Sequence, residues 1–130
     1  MTKKARDRGA TAVEVALLMP ILLVLVMGIV DFGLALRAQI TITQAAREGV
    51  RVTALKQTGA ASRAETAASG LDIGVSVDAC PSGTGGDATV TVTHTFNFVT
   101  PVGGLAGLFG DGSFGDPITL SAKGVMPCEG

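Results

Sequence analysis

The chain has 130 residues, a net charge of −1 and a hydrophobic share of 47%. That length holds one domain at most, and once an apolar run is assigned to lipid the rest suffices only for a thin core. Trp and Tyr are absent and no basic patch is interleaved with aromatics, which argues against nucleic-acid binding. The charge is uneven: residues 1–56 carry eight Lys/Arg against four acids, and residues 57–130 carry two against seven. The acidic half reads as a solvated surface.

The first element is a membrane segment. Val15–Val30 holds sixteen residues without a charge, slightly short of the roughly 20 that cross a bilayer. Val13, Phe32, Leu34 and Leu36 extend the run past Asp31, whose carboxylate is expected to reach the headgroups. Val13 to Leu36 therefore reads as one crossing helix, with Pro20 tolerated inside it as a kink. Lys3, Lys4, Arg6 and Arg8 crowd before the run, so the N-terminus is expected in the cytoplasm and the remainder exported. A cleavable secretory signal is the rival reading, with the stretch Gly33-Leu34-Ala35 as a small-residue cleavage site. Against it stand the length of the run and Glu14, a costly charge at the mouth of a membrane segment.

The helical pattern continues outside the membrane. Ala35, Ala38, Ile42, Ala45, Gly49 and Val52 recur at three- and four-residue steps, a face of small residues. Such a face suits close approach to another helix or packing on the chain's own exported part, and both readings stand. Arg37, Thr41, Gln44, Glu48 and Arg51 line another face. A single helix over residues 10–56 would be about 70 Å long, leaving a stalk beyond the bilayer. Thr58 and Gly59 are expected to end it, and Ala60–Ser69 to form a short second helix stopped at Gly70.

The remainder is strand-rich. Ile73, Val75 and Val77 alternate with smaller or polar residues. Thr89–Phe98 alternates most clearly: Val90, Val92, His94, Phe96 and Phe98 face one side, and Thr89, Thr91, Thr93, Thr95 and Asn97 the other. Ile118, Leu120 and Ala122 suggest a third strand, and the glycine-rich stretch 101–116 is a loop or hairpin excursion. A small antiparallel sheet packed against a helix accommodates so few apolar residues. The fold class is thus α+β, with a long transmembrane helix continuing as a stalk and a small exported sheet.

The two cysteines, Cys80 and Cys128, are expected to form one disulfide, in keeping with export. A metal site is disfavoured, since His94 is the only histidine and no CxxC spacing exists. His94 reads as a partly buried structural residue, with a pH-sensitive partner contact as the alternative. No nucleophile motif or paired carboxylates are recognisable, and residues 83–86 form a turn without the strand-to-helix setting of a phosphate loop. No enzyme activity, cofactor or small-molecule substrate is expected.

Three blocks, RGATAVEVALLMP (8–20), GIVDFG (28–33) and AAREGVR (45–51), occur in an order that resembles the TadE-like family, minor pilins or pseudopilins of the tight-adherence (Flp) pilus machinery. The resemblance covers roughly residues 8–53. Asp31 stands where many members carry glutamate, a like-charged exchange. The resemblance implies that residues 1–9 are a cytoplasmic leader, 10–56 a transmembrane and stalk helix, and 57–130 a small exported domain. Gly9 would precede a prepilin-peptidase cut and Ala10 would become the new N-terminus. Glu14, one helical turn on, would offset an ammonium of its own chain or of a neighbour. Implied partners are membrane lipid, the prepilin peptidase and other pilus subunits, with the bacterial inner membrane as the implied location and the filament as a second one. A non-polymerising bitopic protein of the secretion apparatus and a membrane-tethered binding module are the alternatives.

Overall fold

Lys3–Ala54 forms one 52-residue helix, α1, in the computed structural model, which describes residues 3–82, 85–101, 103–104 and 115–129 and, within α1, side chains from Gly9 onward. The side chains of Lys3, Lys4, Arg6 and Arg8, half of the turn expected at 83–86 and most of the excursion expected at 101–116 fall outside these. A second helix, α2, spans Ala60–Ala67, and strands β1 (Gly74–Asp78), β2 (Asp87–Phe96) and β3 (Ile118–Pro127) follow. The strands form one antiparallel sheet in the order β1-β2-β3, so the architecture is α+β.

The chain divides into two compact units, residues 1–33 with 98–116 and residues 34–97 with 117–130. The second unit holds the core: Ile42, Ala45, Ala46, Val50 and Ala54 of α1 pack with Ala64 and Ala68, and with Ala88, Val90, Val92 and Ala122 of the sheet. Most of these side chains are small, so burial is achieved by bringing backbones close. A Cβ on Gly49 would come within 3.1 Å of Val90 Cγ1, and one on Gly124 within 2.6 Å of the Ala46 carbonyl oxygen. The small-residue face of α1 is therefore packed on the chain's own sheet around Ile42, Ala45 and Gly49.

Register explains the alternation. Val75 pairs with Val92 and Val92 with Ala122, so their side chains share the face toward α1, while Ser76, Thr91 and Lys123 share the other. Gln39 of α1 donates from Nε2 to the Ser121 carbonyl at 3.0 Å, tying helix to β3. Buried Thr53 returns its hydroxyl to the Gly49 carbonyl at 3.1 Å, which removes the cost of burying it.

Element ends differ from expectation in three places. Helix α1 stops at Ala54 rather than at Thr58–Gly59, through a Schellman closure in which Gln57 N–H meets the Val52 carbonyl (3.1 Å) and Lys56 N–H the Thr53 carbonyl (3.0 Å). Lys56 takes the left-handed conformation, φ 54°, that glycine normally supplies there, so no local signal marked the stop. Gly59 (φ 91°) instead opens α2, which ends at Ala67, before the expected Ser69. Strand β2 ends at Phe96, so Phe98 belongs to the segment that follows it.

Candidate functional site

In the first unit the apolar part of α1 is exposed over most of its circumference among the described residues. Leu17 (68%), Ile21 (64%), Leu25 (57%) and Ile29 (64%) run exposed along one line of the helix, and Leu18, Leu22 and Val26 along another. A helix apolar on every side needs an apolar surround. Burying such side chains is worth roughly 1.5–3 kcal/mol each, which water forfeits and lipid supplies. Among the described residues this is one helix long and apolar enough to cross a membrane, with a mean hydropathy of 2.7. It runs through Pro20 without a break, and it fits a membrane-anchored protein.

Asp31 departs from expectation. Instead of reaching outward to headgroups, it is 3% exposed and accepts hydrogen bonds at Oδ1 from the backbone N–H of Val99 (3.0 Å) and of Thr100 (3.3 Å). Its Oδ2 accepts the Thr100 hydroxyl. A carboxylate removed from water is costly unless its oxygens are satisfied, and here both are. The partners lie 68 and 69 residues away in sequence, so no spacing rule points to them.

Gly9, Ala10 and Glu14 stand on the first turns of the same helix, all exposed. Ala10 and Glu14, four residues apart, fall on one face. A Cβ added at Gly9 would meet nothing within 4 Å. In a helix interior glycine costs about 1 kcal/mol relative to alanine, and at Gly9 no packing among the described residues requires it.

The second unit carries the remaining expected residues. Cys80 and Cys128 form the disulfide, with Cα atoms 5.9 Å apart. The bridge fastens the segment after β1 to the end of β3. Cys80 Sγ lies 3.6 Å from the Thr53 carbonyl oxygen, a packing contact, since a disulfide sulfur has no proton to donate. Beside it Glu129 N–H caps the Ala54 carbonyl at 3.3 Å, so the tail also seals the end of α1. His94 is half-buried, and its Nδ1 lies 2.6 Å from the Asp72 carbonyl oxygen. A carbonyl only accepts, so Nδ1 carries the proton, and the ring holds the approach to β1 against β2. A cleft lined by Glu48, Arg51, Ser62 and Arg63 separates the end of α1 from α2, and Arg63 spans it to Glu48 at 3.7 Å. That pair is exposed and contributes little.

The two cysteines are consumed by the disulfide, and among the described residues no group of three or more His, Cys, Asp or Glu could hold a metal ion.

Comparison with curated proteins and with solved structures gives no match. A family model described as TadE-like protein matches residues 9–51, which begins at Gly9, contains the apolar run and ends within the small-residue face. Residues 52–130, with α2 and the sheet, lie outside that match. The chain therefore carries a TadE-like region over residues 9–51, of a family associated with tight-adherence (Flp) pilus systems.

Proposed function

We propose that this chain is a non-enzymatic minor pilin, or pseudopilin, that assists assembly of a tight-adherence pilus. It is anchored in the bacterial inner membrane by α1, with its N-terminus in the cytoplasm and its disulfide-bonded part exported. A prepilin peptidase cuts between Gly9 and Ala10. Glu14 then stands one turn from the freed amine, where it offsets that ammonium or the one of a neighbouring subunit.

The observation that carries this reading is Gly9 itself. It opens the TadE-like region, and the space around it would accept a side chain, so its smallness has no use in the fold. A peptidase that must seat an unhindered residue before the scissile bond gives it one. Glu14 supports the same reading, because an exposed carboxylate beside the lipid-facing run costs energy unless it has a role in assembly.

The test is co-expression with the cognate peptidase. The native chain is expected to shift to a faster band, and Gly9→Arg is expected to stay unshifted while still folding, since nothing crowds residue 9. Processing of Gly9→Arg would refute the site. Appearance in the sheared pilus fraction separates a pilin from a non-polymerising membrane protein of the apparatus, which would remain with the inner membrane.

A further inference from the structure

We propose that residues 98–101 form a second membrane contact, in which Asp31 holds the backbone of Val99 and Thr100 against α1 and Val99 enters the acyl chains just beneath the headgroups. This rests on α1 crossing the bilayer, and it adds a lipid contact from the segment between β2 and β3.

Depth comes first. From Val13 to Asp31 α1 rises about 27 Å at 1.5 Å per residue, close to the ~30 Å thickness of a hydrocarbon core. Asp31 therefore lies at the rim of that core, where an unsatisfied carboxylate is expensive. Its oxygens are satisfied by Val99 N–H, Thr100 N–H and the Thr100 hydroxyl. The same bonds satisfy two backbone amides that hydrocarbon could not. Donor and acceptor each make the other tolerable at that depth.

Exposed apolar side chains stand on both sides of the Asp31–Val99 hydrogen bond. Ile29 (64% exposed), Val30 (48%) and Phe32 (68%) flank Asp31 on α1, and Val99, whose N–H is bonded to Asp31, leaves 72% of its own surface open. An apolar side chain so exposed, beside a helix surface that already needs lipid, extends that surface. The sequence agrees: residues 98–110 contain no charged residue. The occupant is therefore the bilayer that surrounds α1.

The experiment places single cysteine substitutions, labelled with an environment-sensitive fluorophore, in the full chain reconstituted into phosphatidylcholine vesicles with its disulfide intact. Val99→Cys is compared with Leu17→Cys, inside the apolar run, and Glu65→Cys, exposed on α2. Nitroxide lipids labelled near the glycerol end and aqueous iodide serve as quenchers. The Val99 label is expected to resemble Leu17 in blue shift, to be quenched by the shallow nitroxide and to be protected from iodide. Adding Asp31→Ala should raise its iodide quenching several-fold, and Thr100→Val, which removes only the hydroxyl bond, should raise it less.

A Val99 label that behaves like Glu65 while Leu17 reports lipid would overturn the proposal and leave the anchor intact. A Leu17 label in water would overturn both. Shielding from iodide and nitroxide alike would mean that protein covers Val99, which also refutes a lipid contact. If Val99 stays in lipid in both Asp31→Ala and Thr100→Val, the carboxylate does not set its depth and the proposed device fails.

Discussion

Asp31 and Thr100, 69 residues apart, are joined twice: the Thr100 backbone N–H donates to one carboxylate oxygen and its hydroxyl to the other. With Val99 N–H added, a side chain of α1 fixes the chain where it leaves β2. Hydrogen bonds to a charged acceptor are stronger than neutral ones, so this link outweighs the exposed Arg63–Glu48 pair. Asp31→Ala is expected to raise hydrogen exchange at the Val99 and Thr100 amides by roughly tenfold or more, the equivalent of losing one such bond. Unchanged protection would show that other contacts hold the segment.

Gly124 allows β3 to lie directly on α1. A Cβ there would stand 2.6 Å from the Ala46 carbonyl oxygen and 3.0 Å from its carbon, and backbone cannot swing aside as a side chain can. Gly124→Ala should cost about 1–3 kcal/mol by overpacking, seen as a lower denaturant midpoint. Gly9→Ala, with open space around it and a better helix former in place, should not lower that midpoint.

The disulfide closes a loop with a sequence separation of 48. In the chain-entropy account such a closure stabilises the fold by about 4 kcal/mol. Replacing Cys80 and Cys128 together by serine should therefore lower the midpoint of the sheet-bearing unit strongly and abolish its response to dithiothreitol. A variant as stable as the native chain would mean that the packing of α1 on the sheet suffices.

Lys56 holds a left-handed conformation with φ 54°, which a residue bearing a Cβ resists by roughly 1–2 kcal/mol. Lys56→Gly should raise stability by about 0.5–1 kcal/mol, the relief of that strain less glycine's extra freedom in the unfolded chain. A calorimetric comparison with native protein checks the sign.

The sequence carried much of this because its largest signals are periodic. The uncharged run gave the helix, alternation gave the strands, and two cysteines in a strand-rich half allowed one pairing. What escaped it depends on approach between distant segments. Asp31 was legible as a charge at the edge of an apolar run, but its acceptors face donors in a stretch with no motif. Gly124 looked like any strand glycine until the Ala46 backbone stood against it. The end of α1 is not legible because Lys56 occupies a position where glycine is usual, while Gly59 opens α2 instead. At Gly9 and Glu14 the position is reversed: the residues were legible and the fold makes no demand on them.

That lack of demand makes processing the claim to test. Intact-mass and N-terminal peptide analysis of the chain, isolated from membranes of cells with a working pilus system, measures it directly. The account predicts a mature protein beginning at Ala10, with residues 1–9 absent. A chain that retains those residues, or one that begins beyond Ala35, would contradict it.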